Sequence, residues 1–365
     1  MNITEDGLKR ALSNVIDPDF KKDLVTLGMV RDFDIDGRSV AFTLQLTTPA
    51  CPLKEFLRNE CLKYIHDAYG EDVEVDIDIT ADVTSGRNSD INVLPNVRNI
   101  ICVASGKGGV GKSTVAVNLA YSLAADGARV GLIDADIHGP SIPTMLGVAG
   151  QRPGLREIKG KHYILPMDVN GVKVLSIGLL IDDRQAVVWR GPMVTSALKQ
   201  FVSDVLWGNL DYLVVDMPPG TGDVHLTMIQ TVQVTGAVIV TTPQEVAVAD
   251  SRKALSMFRM PKIDVPILGV IENMSYFSPP GRPEERYRIF GEGGGQALAD
   301  QYEIPVLGEL PIVEAVRLGG DSGVPAVLNE NLTEVQNAWR SIGRAVAQQI
   351  AVSNAERLEL EETEA

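Results

Sequence analysis

Cysteine is scarce in this chain: three occur in 365 residues, Cys51, Cys61 and Cys102. An odd number at wide spacing excludes a disulfide framework and a Cys-rich zinc site. It points to a reducing compartment. Only four histidines occur, and none stands at a ligand spacing with the cysteines or completes a Ser-His-Asp set. No stretch approaches 18 consecutive apolar residues, which predicts no membrane-spanning segment. The start, MNITEDGLKRAL, lacks a basic stretch leading into an apolar run, so no secretory leader is expected. Together these absences predict a cytoplasmic protein. Positive charge is also in deficit. Lys plus Arg is 33 against 48 for Asp plus Glu, a net charge of −15. Such a chain is a poor partner for sequence-blind contact with nucleic acid or an anionic membrane, and neither is expected.

What is present is ordinary for a globular protein. The composition is 45% hydrophobic and 22% charged, enough to build a core. The length suits two or three domains, or one large and one small. The acidity is uneven. Residues 1–95 hold 18 acidic and 10 basic residues, and the last ten hold five Glu and one Arg. The long middle is nearly neutral.

The first segment reads as a small α+β domain. Leu8, Leu12, Val15 and Ile16 have helical spacing, as do Phe56, Leu57, Cys61 and Ile65. Ser39 to Thr47 and Val73 to Ile79 alternate as strands. The polar, Gly- and Pro-containing stretch from Thr84 to Asn96 reads as a linker. From Ile100 the pattern becomes βαβα. Apolar strand-like runs begin at Ile100, Val130, Val172, Tyr212, Ala237, Ile267 and Val306, with helices between most of them. This predicts an α/β fold with a mostly parallel sheet covered by helices on both faces. The expected division is a small domain over 1–88, a linker over 89–97, a large domain over 98–352 and a disordered acidic tail over 353–365.

Chemistry concentrates at Ser105–Thr114, SGKGGVGKST. Gly106, four residues, Gly111, Lys112 and Ser113 match a P-loop, with a strand running in and a helix running out. Glycines let the backbone approach phosphate oxygens, and the helix N-terminus faces the anion. The cradle is Gly106, Lys107, Gly108, Gly109, Val110, Gly111, Lys112, Ser113 and Thr114. Lys112 would neutralise β- and γ-phosphate charge and the Ser113 hydroxyl would bind Mg²⁺. Gly106, Gly108 and Gly111 also satisfy a dinucleotide pattern, but the Gly-Lys-Ser-Thr ending favours a triphosphate. The fold is thus read as a P-loop NTPase, with ATP and Mg²⁺ as cofactors. Asp216 ends an apolar strand and is the expected second acidic element at the metal. Asp134 and Asp136 end the strand after the P-loop helix, and Asp136 is read as the residue that orients water. Ser113, Asp136 and Asp216 are the Mg²⁺ candidates, and Lys107, Lys112 and Asp136 the catalytic ones. Pro218 to Asp223 (PPGTGD) reads as a switch-like loop whose Gly220 could offer its N–H to a γ-phosphate.

Lys107, directly after the first glycine, makes this loop resemble the deviant P-loop of ParA/MinD/NifH-type ATPases. That resemblance implies a homodimer in which Lys107 reaches the partner's phosphates. Within that family, the stretches DADIHGPSIP (134–143), DYLVVDMPPGTGD (211–223), TPQEVAVAD (242–250) and IENMSYF (271–277) resemble the Mrp/ApbC group of iron–sulfur cluster carriers. The resemblance implies that Asn273 contacts adenine and Pro311 lies near the base. Residues 17–19 (DPD), 27–30 (LGMV) and 47–53 (TTPACPL) resemble a SufT-like iron–sulfur assembly domain, whose motif singles out Cys51.

One feature departs from the group. Its usual Cys-x-x-Cys after the Asn-Met-Ser-Tyr-Phe stretch is absent, and 278–283 read SPPGRP. A four-thiolate cluster from this position is impossible. Cys102 and Cys61 fall in apolar patterns and read as core. Cys51, ahead of a helix N-terminus, is expected to have a lowered pKa and a thiolate able to bind metal. The expected function is an ATP-hydrolysing carrier or scaffold that passes iron–sulfur clusters to apoproteins or works with other assembly factors. The alternative is a ParA/MinD-like dimerising switch that positions a partner.

Overall fold

The structure, a computed structural model, describes residues 2–87, 93–136, 139–180 and 191–364. The chain divides into two compact units, Met1–Thr84 with Ala347–Ala365, and Ser85–Val346.

The small unit begins with α1 (Glu5–Leu12), whose Thr4 cap accepts the Gly7 N–H, a standard way to satisfy a first-turn donor. A short ladder of β1 (Ile16–Asp17) and β2 (Lys22–Asp23) follows. β3 (Val30–Asp36), β4 (Ser39–Leu46) and β5 (Glu74–Ala81) form a three-stranded sheet, antiparallel then parallel. The parallel crossover is α2 (Lys54–Tyr69). Alternation in β4 puts Val40, Phe42, Leu44 and Leu46 into the core with Leu8, Leu12, Leu57, Cys61 and Ile65. Cys61 is core, as expected.

The large unit is built on eight strands. They are β6 (Val97–Ala104), β7 (Val130–Asp134), β10 (Met167–Val169), β11 (Val172–Ser176), β12 (Leu210–Asp216), β13 (Gly236–Thr241), β14 (Ile267–Phe277) and β15 (Val306–Ile312), in the order β10-β11-β7-β12-β6-β13-β14-β15. Among the described residues of this sheet, only the β10–β11 pair is antiparallel. The helices are α3 (Lys112–Ala125), α4 (Ile142–Met145), α5 (Gly191–Ser203), α6 (Asp223–Thr231), α7 (Glu245–Phe258), α8 (Gly294–Tyr302), α9 (Glu314–Ser322) and α10 (Thr333–Glu364). β6, β12 and β13 are buried almost throughout, the mark of strands covered on both faces. Cys102 in β6 is wholly buried among Ile100, Val215 and Ile239. A hairpin of β8 (Gly154–Ile158) and β9 (Lys161–Leu165) stands apart from the main sheet.

Every apolar run read as a strand in the large unit is one. Three expectations need correction. The unit boundary lies at Thr84, not 88, because Ser85 and Arg87 bond to the carbonyls of Arg98 and Val97. The linker expected over 89–97 ends in strand, since β6 begins at Val97; residues 88–92 lie outside those described. The tail expected to be disordered is helical, because α10 runs to Glu364. Its Ala, Glu, Leu and Arg residues are strong helix formers. Glu359 also pairs with Lys22 at 2.6 Å, and Asn354 donates to the Thr84 carbonyl at 3.0 Å. Residues from Ala347 on therefore group with the small unit.

Candidate functional site: a phosphate loop and its buried carboxylates

The loop between β6 and α3 has the backbone that its sequence requires. Gly109 and Gly111 take φ of 82° and 84°, the left-handed region that favours glycine. At Gly106 a Cβ would lie 2.1 Å from the Asp250 backbone, so only glycine fits. Gly111 begins α3 without any side-chain cap. The first-turn N–H groups of α3 are thus available to an anion, and the helix dipole favours one there. Lys107 is exposed at the loop's surface, and Lys112 is buried.

Sheet register brings the acids together. β12 lies between β6 and β7, with Asp216 opposite Asp134 at their carboxyl ends. Ligand sites of open α/β sheets form at these ends. Lys112 Nζ donates to Asp216 Oδ1 at 2.5 Å and to Ser113 Oγ at 3.3 Å. Asp134 accepts from Ser176 Oγ at 3.0 Å, the Asp136 N–H at 3.2 Å and the Ile142 N–H at 3.3 Å. Burial and the neighbouring Asp216 charge push the Asp134 carboxyl up to about 8. Burial also raises Asp216, against the opposing pull of Lys112. Asp136 is half-buried, whereas Asp134 is fully enclosed. Of the two, Asp136 is the more accessible to ligand and water.

Among the described residues, the buried Asp216 Oδ2 meets no hydrogen-bond partner. A buried, unpaired carboxylate oxygen is unfavourable unless a ligand completes it. With Ser113 Oγ and Asp136 it offers the hard oxygen donors that suit Mg²⁺, a metal that keeps its waters and takes the rest of its shell from phosphate. The donor set fits that ion.

Asn273 and Pro311 line one cavity of about 680 Å³ with Gly111, Thr114, Met274 and Phe290. Asn273 Nδ2 donates to the Val110 carbonyl at 2.8 Å, which ties this wall to the phosphate loop. The sequence reading did not identify Met274 and Phe290, since neither belongs to a spacing pattern. Gly220 departs from expectation. Its N–H is not free but donates to the Ser105 carbonyl at 2.9 Å. His225 was not singled out for the site, yet it lies wholly buried under the Pro218–Gly222 loop. Its place three residues after Gly222 was the available signal.

The segment that replaces the cysteine pair is held by arginine stacking. The Arg286 guanidinium lies 4.4 Å from the Tyr276 ring centroid, and Tyr287 bridges to Phe277. Cys51 sits in the small unit, in a cleft of about 10 Å³ lined by Asp17, Asp19, Thr48, Met29 and Gln348. That volume holds about one water. The expected lowering of its pKa is reversed. Burial, with Asp17 and Asp19 adding to it, pushes the thiol up to about 11 against the N–H groups of Leu53 and Lys54. Among the described residues, no group of three His, Cys, Asp or Glu is placed to hold a metal ion. Among the described residues, no helix is long and apolar enough to cross a membrane.

The chain is similar to known proteins. Residues 96–347 match the NUBPL iron-transfer P-loop NTPase family, and residues 5–77 match an iron–sulfur cluster assembly family. An iron–sulfur cluster carrier protein of Synechocystis is 45% identical over 96% of this chain and 99% of its own length. One of Deinococcus radiodurans is 48% identical over 95% and 96%. Among solved structures, an ADP-bound nucleotide-binding protein of Archaeoglobus fulgidus is 36% identical with a TM-score of 0.57, covering 69% of this chain and 96% of that one. The cell-division ATPase MinD of Pyrococcus furiosus, 24% identical with a TM-score of 0.50 over 68% of this chain and 98% of its own, shares the fold. With the phosphate loop, its buried acids and both family matches in place, the chain belongs to the iron–sulfur cluster carrier family built on an iron-transfer P-loop NTPase.

Proposed function

We propose that this protein is an ATP-hydrolysing carrier or scaffold that receives an iron–sulfur cluster as cargo and passes it to apoproteins or other assembly factors. One observation carries the catalytic half: the buried Lys112–Asp216 pair beside an unpaired Asp216 Oδ2. Two buried opposite charges are favourable only with good geometry and with their remaining valences satisfied. A Mg²⁺–ATP complex would satisfy them. Bound Mg²⁺ would neutralise developing phosphate charge. Ser113, Asp136 and Asp216 would hold it. Lys112 and the α3 N-terminus would cradle the β- and γ-phosphates, and Asp136 would orient the attacking water. Asn273 and Pro311 would receive adenine.

The exposed Lys107 supports a homodimer in which each subunit offers this ammonium to the other's nucleotide. The cargo half rests on the family and on Cys51. Cys61 and Cys102 are enclosed in separate cores, so each subunit supplies one cleft thiol. The remaining cluster ligands would come from the donor or recipient, which suits a short-lived cargo. Anaerobic reconstitution with iron and sulfide tests this. A labile cluster that requires Cys51 is expected; a stable visible spectrum in Cys51→Ala would refute the assignment.

A further inference from the structure

Asn273 and Met274 line the base cavity from a stretch of β14 that is not regular strand. Between the pairs Glu272–Glu309 and Tyr276–Pro311, residues 273–275 stand opposite Leu310 alone. Within that bulge Met274 takes a φ of 56°, left-handed backbone that residues with a Cβ rarely adopt. Bulges beside functional sites re-aim side chains. A strained residue persists where its surroundings over-determine it.

The surroundings here are the two side chains that flank the pair. Glu272 is 2% exposed and Ser275 is wholly buried. The Ser275 hydroxyl donates to Glu272 Oε1 at 2.6 Å, which ties the chain across Asn273 and Met274. Glu272 Oε2 accepts the Gly295 N–H, in the first turn of α8, at 2.6 Å. A Cβ at Gly295 would lie 2.9 Å from the Glu272 Cβ, so the helix start packs directly on this carboxyl. Arg288 Nη1 donates to Ser275 Oγ at 3.0 Å. Both Glu272 oxygens and the Ser275 hydroxyl are thus engaged, and a satisfied buried network fixes one arrangement.

What the network holds is the orientation of Asn273. The Val110 carbonyl can only accept, and Asn273 Nδ2 donates to it at 2.8 Å. The amide nitrogen therefore faces the phosphate loop, and Oδ1 is left to accept from a ligand. On the matching edge adenine offers an exocyclic N–H, whereas guanine offers a carbonyl oxygen. We propose that Glu272 and Ser275 are positioning residues for the base: their hydrogen bond clasps the bulge, holds Asn273 in the orientation that selects adenine, and so sets a preference for ATP over GTP. Neither residue lines the cavity. They act through Asn273.

The inference rests on Asn273 and Pro311 receiving adenine. The test uses the full-length protein and calorimetric titration with non-hydrolysable ATP and GTP analogues. Ser275→Ala removes the clasp, and Ser275→Thr keeps the hydroxyl. Ala is expected to weaken the ATP analogue about tenfold and the GTP analogue about twofold at most, the scale of one buried hydrogen bond. Thr should regain most of the loss. KM for ATP should rise in Ser275→Ala with kcat within about twofold, the signature of lost uniform binding. A wild-type ATP preference in Ser275→Ala overturns the proposal. An equal loss for both nucleotides that Thr does not repair also overturns it, since that would mark packing alone. If Ser275→Ala does not fold, Glu272→Gln takes its place, because it keeps the bulk and an acceptor for Gly295; an unchanged ATP preference there overturns the proposal. Asn273→Ala separates the two assignments. A wild-type preference in that variant defeats the placing of adenine at Asn273, whereas a preference lost there and kept in Ser275→Ala defeats the clasp alone.

Discussion

In the large unit, Lys112 and Asp216 are both buried and meet at 2.5 Å. In the small unit, Cys51 is half-buried beside Asp17 and Asp19, with no cation lining its cleft. Both sites remove ionisable groups from water, and burial raises the acid in each; they differ in what opposes it. At the phosphate loop, Lys112 pulls Asp216 back toward its charged form, although burial still holds it raised. At Cys51, burial and neighbouring carboxylates both oppose the thiolate. The Gln348 amide occupies Asp19 Oδ1 at 2.6 Å rather than facing the sulfur. The first site sets a buried cation beside its acid. The second sets carboxylates beside its thiol, which burial already pushes up to about 11.

Removing the cation from the first site tests this contrast most severely. Lys112→Ala should lower ATP turnover by at least about 10³-fold, measured as phosphate release; an unaltered rate would sink the nucleotide assignment. Lys107→Ala, which leaves the buried pair intact, should reduce turnover by roughly 10³-fold at most, as for a finger residue supplied in trans. It should weaken ATP-dependent dimerisation in analytical ultracentrifugation more than ATP binding. Equal dimerisation would refute the in-trans role. The small unit gives the mildest test. With the Cys51 pKa raised from 9.0 to about 11, the thiolate at pH 8 is about 100-fold scarcer than for an unshifted thiol. Alkylation followed by mass spectrometry should therefore be slow at pH 8 and should climb through a midpoint near 11. A midpoint at or below 9 would remove the contrast between the sites.

Much of the phosphate loop was legible from its own residues. The Gly spacing, Lys112, Ser113 and the flanking strand and helix are local. The strands of the large unit were legible too, because fully buried parallel strands are continuous apolar runs. β3 is hard to read from the sequence, because a bulge at Asp32 breaks the alternation of VRDFDID and its apolar residues after Val30 are only half-buried. The hairpin of β8 and β9 was missed for a related reason, since β8 is exposed throughout and has no burial pattern to read. The helical tail was read as disorder because acidity alone does not reveal that Lys22 stands ready for Glu359.

By itself the sequence determined the cradle, the order of strands and helices, and the absence of the Cys-x-x-Cys pair, since each follows from residue type and near-neighbour spacing. Tertiary structure decided the rest. It set Asp134 against Asp216, engaged the Gly220 N–H with Ser105, enclosed His225 beneath the switch-like loop and raised the Cys51 thiol where a helix N-terminus alone would lower it. Those outcomes depend on which distant groups share a low-dielectric space, and that is fixed by strand register and packing rather than by position along the chain.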